Sequence, residues 1–97
     1  MVGPFGHEDF APYVGRAVHL GQQRPALRLA RIEVSGASAV PGAARPAFIL
    51  IFDGPTGDIV PEGLHRTTFE GGPTADIYIM PIHTTAPGRQ EYQAVFN

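Results

Sequence analysis

Two histidines and one aspartate are the residues with which this chain could do chemistry. His65 and His83 lie on either side of a Gly71-Gly72-Pro73 turn, with Asp76 in the same stretch, so a hairpin could bring all three together. Two imidazoles and a carboxylate with open positions make the facial arrangement that holds a divalent metal. Against this, no His-x-His or His-x3-His spacing occurs, and scattered histidines more often satisfy one local hydrogen bond. Hydroxyl nucleophiles are poorly supplied. Ser35 and Ser38 lie in or beside a loop without the Gly-x-Ser-x-Gly elbow, and Thr84 and Thr85 read as turn residues. The acids Asp53, Asp58, Glu62 and Glu70 all fall in turn signals, not in a paired arrangement suited to glycoside chemistry. Glycines at Gly54-x-x-Gly57 and Gly71-Gly72 precede strand patterns, so no helix N-terminus is there to cradle a phosphate.

The chain has no cysteine, which removes disulfides, thiolate metal sites and thiol nucleophiles together. A net charge of −2, with all seven basic residues arginine, argues against a nucleic-acid partner, which calls for a basic face. No apolar run approaches the roughly 20 residues of a membrane-spanning helix. The start, Met1-Val2-Gly3-Pro4-Phe5, lacks the basic and apolar regions of a secretion signal, so synthesis in the cytoplasm is expected. Only 16% of residues are charged, against about 25% in an average domain, which favours a subunit of a larger assembly. No cofactor and no enzymatic activity are expected.

The elements that would position these residues are strands. With 97 residues there is room for one core, and ten prolines and twelve glycines fall between apolar runs, as in all-β proteins. Residues 1–9 read as an N-terminal arm that docks through Phe5, and residues 10–97 as one β domain. Phe10, Tyr13 and Val14 share one face of a short helical turn, with Asp9 to start it and Gly15 to end it, suited to plugging a barrel. Strands are expected over Ala17–Leu20 and Leu27–Ser35. In the second, Leu27 and Leu29 have opposite parity to Ile32 and Val34, which requires a bulge or a corner at Ala30-Arg31. Residues 36–46 read as a long hairpin loop. Phe48–Phe52 is continuously apolar and reads as a central strand, and Leu64–Phe69 places His65, Thr67 and Phe69 on one face. The Gly71-Gly72-Pro73 turn leads into Ala75–Ile82, and Tyr92–Phe96 ends the series. The pattern predicts a six- or seven-stranded antiparallel meander, closed as a barrel or stacked as a sandwich.

If that sheet is open, the Tyr92–Phe96 run could be its edge. It would offer unpaired ladder groups and the alternating face of Tyr92, Ala94 and Phe96 to a partner strand. If instead the strand is interior, those residues are core.

Phe10-x-x-Tyr13-Val14-Gly15, Leu29-x-x-Ile32, Phe48-Ile49-Leu50-Ile51-Phe52-x-Gly54-Pro55, Glu62-Gly63, Ile79-Met80-Pro81-Ile82 and the ending Tyr92-Gln93-Ala94-Val95-Phe96-Asn97 together carry a resemblance. Over Phe10 to Asn97 the chain resembles a small bacterial family known only as a domain of unknown function. That family is encoded beside phage-tail-collar proteins of the microcystin-dependent-protein type. The sequence departs from its pattern at Ile49, where a serine is usual, and at His65, where an aromatic residue follows the Gly63 turn. The resemblance implies association with a tail-like or fibre-like extracellular assembly and brings no activity with it. The expected function is thus a non-enzymatic structural subunit that docks to a protein such as a tail-collar-type fibre component, or to its own copies, through Phe5, Tyr92, Ala94 and Phe96. The alternative is a small cupin-like barrel that binds a metal or small ligand through His65, His83 and Asp76.

Overall fold

Apolar alternation resolves into six strands: β1 (Ala17–Leu20), β2 (Leu27–Val34), β3 (Phe48–Gly54), β4 (Gly63–Phe69), β5 (Thr74–Ile82) and β6 (Gln90–Phe96). The computed structural model describes residues 6–21, 26–34, 47–57, 59–83 and 88–96, and in it the strands close as an antiparallel barrel in the order β1-β2-β3-β6-β5-β4. Closure decides between the barrel and the sandwich that the pattern left open. It also corrects the meander: β6 inserts beside β3, and β4 returns to pair with β1. Strands β3 and β4 therefore stand on opposite sides of the ring, and the chain between them must cross a barrel mouth. Val60 in that crossing is buried for this reason.

The expected bulge is present. The β2–β3 register shifts between Leu29 and Arg31, so Ala30 is the extra residue, and Leu29 faces Phe52 while Ile32 faces Leu50. One inserted residue turns Ile32 back to the face already occupied by Leu27 and Leu29, and it packs against the core. Without the bulge Ile32 would face water, whereas Val34 at the end of the strand is exposed even with it.

The interior holds Val18, Leu20, Leu27, Leu29, Phe48, Leu50, Phe52, Phe69, Ile77, Ile79, Tyr92, Ala94 and Phe96. Each mouth has its own plug. At one, Phe10 sits among Phe69, Phe96 and Phe48 at ring-centroid distances of 5.1, 5.4 and 6.0 Å. Phe48 and Phe96 are cross-strand partners stacked at 4.7 Å beneath it. At the other mouth, Val60 is fully buried and its N–H donates to the Tyr92 hydroxyl.

The N-terminal helical segment is two consecutive 3-10 turns, His7–Asp9 and Ala11–Tyr13. This differs from the expected face in a way that follows from the helix type. A 3-10 turn has three residues per turn, so Phe10 and Tyr13 align but the residue after Tyr13 does not. Accordingly Tyr13 packs against the core while Val14 is exposed. Asp9 caps the earlier turn, its Oδ2 accepting the Gly6 N–H at 2.7 Å. Gly15 ends the segment at φ +90°, a left-handed conformation that a side chain would strain, and its N–H donates to the Leu29 carbonyl at 2.7 Å.

Candidate functional site

Pairing registers place the expected site residues, and they do not converge. His65 pairs with Ile77 and shares its inward parity, whereas Asp76 pairs with Arg66 on the outer face. Successive residues of a strand point to opposite faces, so His65 and Asp76 are divided by the barrel wall. His83 follows the end of β5, six residues beyond Ile77, which is on the order of 20 Å along the strand. Each has an ordinary local role. His65 Nε2–H donates to the Pro61 carbonyl at 2.8 Å, a carbonyl being able only to accept, and Asp76 lies 3.6 Å from Arg66. Among the described residues no group of three or more His, Asp or Glu is placed to hold a metal ion.

The edge-strand expectation is corrected. Strand β6 pairs with β3 along its length and with β5 over Glu91–Gln93, inside a closed ring. Tyr92, Ala94 and Phe96 point inward and belong to the core. They hold the barrel together and are withdrawn from any partner. Phe5 lies outside the described residues.

What the barrel does present is an apolar stripe on its outer wall. On β4 and β5, Leu64 and Tyr78 are cross-strand partners with outward parity, 62% and 49% exposed. On β6, Val95 is outward and 46% exposed, and it pairs with Ile49 of β3. Met80 pairs with Gln93, so Tyr78 and Val95 each lie two residues along from that pair on adjacent strands. Extending the β5–β6 register two residues past its last pair, Met80–Gln93, sets Leu64, Tyr78, Val95 and Ile49 in one row across four neighbouring strands. A second row beneath it runs through Met80, Gln93 and Ile51, with the Gln93 amide donating to the Met80 sulfur at 3.4 Å. Ile51, although outward in parity, is only 3% exposed.

Ion pairs border this wall. On the β2 side, Arg28 makes a forked contact with Asp53 at 2.8 and 3.3 Å, and Arg31 bonds Glu33 at 2.9 Å. Glu91 lies 3.6 Å from both Arg31 and Arg89. The hydrogen bond from Arg28 to Asp53 raises the guanidinium above its ordinary value, and the bond from Arg31 to Glu33 does the same there. At the other margin the Tyr78 hydroxyl donates to Glu62 Oε2 at 2.5 Å, which raises the phenol above its usual value. That bond also fixes the ring.

Sequence reading passed over this stripe although its signal is present. Leu64 stands at the parity opposite Thr67 and Phe69, and Tyr78 lies between the inward Ile77 and Ile79, so both are large apolar side chains at solvent positions. Among the described residues no helix is long and apolar enough to cross a membrane. No curated protein and no solved structure matches the chain. A family model does, over residues 5–96, and by that match the chain belongs to the DUF6916 family, a domain of unknown function.

Proposed function

We propose that this chain is a non-enzymatic structural subunit that works by docking to another protein, in a tail-collar-type fibre or appendage assembly. The observation that carries the docking is the outward row of Leu64, Tyr78, Val95 and Ile49. Three of its side chains are about half exposed or more, on a rigid wall where charged residues would be the ordinary choice. Tyr78, tethered to Glu62, gives the row a preorganised aromatic anchor of the kind that dominates binding energy. Low overall charge agrees with a surface meant to be covered. The fibre setting rests on the family resemblance alone.

The test is affinity purification of the tagged chain from its native cells, beside a Val95→Arg variant whose circular dichroism matches the wild type. A tail-collar-type protein should accompany the wild type and be lost from the variant. If neither retains it, or both do, this reading of the wall is wrong.

A further inference from the structure

The ring is joined unequally at its two mouths. Strands β2, β3 and β6 pair along most of their length, and so do β4 and β5. Between β5 and β6 the pairs are Met80–Gln93, Pro81–Tyr92 and Ile82–Glu91, and over Thr74–Ile79 strand β5 pairs with β4 instead. This short ladder adjoins the mouth where the Val60 N–H reaches the Tyr92 hydroxyl. Toward the other mouth its last pair is Met80–Gln93, and Ala94, Val95 and Phe96 keep their pairs with β3. There the Phe10 ring spans the two halves, 5.1 Å from Phe69 of β4 and 5.4 Å from Phe96 of β6. The segment that carries Phe10 closes on itself. Asp9 donates to Gly6, Phe10 to His7, Tyr13 to Phe10 and Val14 to Ala11, so these four backbone bonds survive if the segment moves as a piece. Glu8, Asp9, Ala11, Pro12 and Val14 are exposed. The chain joins β2 at Gly15, whose N–H donates to the Leu29 carbonyl and whose φ of +90° makes it a ready pivot. An exposed, locally bonded segment of this kind belongs to the low-stability end of a fold.

We propose that residues 6–14 are a latch that swings out about Gly15 as a unit while the strands stay paired. With Phe10 out of its seat, the β5–β6 seam parts from its Phe96 end and opens the core beside Ala94 and Ile79, which are otherwise fully buried. The opening is confined to that end, because three ladder pairs and the bond between Val60 and Tyr92 hold the other. The latch thus governs access to the barrel interior. It is independent of the docking reading, which concerns the outer face.

Because the chain has no cysteine, one introduced thiol reports on access to the core. Ala94→Cys places it beside the seam, and Leu27→Cys places it in the core at the end of β2 away from Phe10. In the full chain at low urea, alkylation of the Ala94→Cys thiol by a maleimide should depend only weakly on urea, since the opening exposes little surface. Alkylation of Leu27→Cys should follow the slope of global unfolding. In the wild-type chain, hydrogen exchange at Asp9, Phe10, Tyr13 and Val14 should be about tenfold or more faster than at the slowest amides of β3 and β6, with the same weak dependence on urea. Phe10→Leu loosens the latch without emptying its seat, and in the Ala94→Cys background it should speed alkylation by roughly tenfold. The proposal is overturned if Ala94→Cys also follows the global slope, if Phe10→Leu leaves its rate unchanged, or if the latch amides exchange only with global unfolding.

Discussion

The backbone N–H of Val60 donates to the hydroxyl of Tyr92 at 2.9 Å, inside the barrel and with both residues fully buried. The bond ties the crossing between β3 and β4 to the middle of the ring on the far side. It explains why a tyrosine stands in an interior built mainly of Phe, Leu, Ile and Val: a chain crossing a mouth has a backbone donor with no strand to satisfy it. Replacing Tyr92 with Phe keeps the ring and removes the acceptor. The buried N–H is then unmatched, and stability should fall by about 1–3 kcal/mol, read as a lower urea midpoint with an unchanged slope.

At the opposite mouth the Phe10 ring packs among three other phenylalanine rings. Phe10→Ala should cost about 3–5 kcal/mol. Val14→Ala, four residues on and exposed, should change stability by less than about 0.5 kcal/mol. Equal effects in denaturant melts would show that the segment is an α-helical turn with both residues on its buried face.

Gly72 lies under the Tyr13 ring, so closely that a Cβ there would come within 2.5 Å of Tyr13 Cζ. Arg16 lies 6.0 Å from the same ring's centroid. Gly72→Ala should therefore push the ring off its seat at about 1–3 kcal/mol. Most of that penalty should vanish in a Tyr13→Ala background, which a double-mutant cycle measures as coupling. Additive losses would mean that the ring is not what the added methyl displaces.

The hydrogen bond from Tyr78 to Glu62 favours the protonated phenol, so in the folded chain Tyr78 should titrate above the ordinary value of about 10. For a group raised on folding, the added stability is fully present below the unfolded value and disappears as pH climbs through the folded one. The loss should thus fall above about pH 10. Glu62→Gln should bring the phenol back toward about 10, followed by ring-carbon chemical shifts in NMR titration. An unchanged titration in that variant would separate the phenol from the carboxylate.

His65, Asp76 and His83 are kept apart by the wall and by the length of β5, so His83→Ala should leave the metal content of purified native protein unchanged. Elemental analysis of both proteins is the measurement. A stoichiometric metal that disappears in the variant would require a rearranged β4–β5 hairpin.

Local pattern carried much of this fold. The parity break between Leu29 and Ile32 placed the bulge at the right residue, because alternation along a strand is a property of the backbone and shows in neighbouring letters. The same holds for β1 from Ala17 to Leu20, for the Gly71-Gly72-Pro73 hairpin and for the aromatic plug ahead of β1. The site was less legible. His65 and Asp76 differ in sequence parity relative to their cross-strand partners, but that difference acquires meaning only once the register sets Ile77 opposite His65.

The amino-acid order by itself determined where strands run, which residues alternate, and that the class is all-β. Only the tertiary structure decided that β6 lies between β3 and β5, that the ring closes through β1 and β4, and that Tyr92, Ala94 and Phe96 are therefore interior. The reason is physical. Alternation is set by bonds between adjacent residues, whereas the choice of neighbour depends on which closure buries the most apolar surface while leaving no ladder group unpaired. The segment that crosses from β3 to β4 carries the same Gly and Pro signals as a hairpin, so nothing local distinguishes the two.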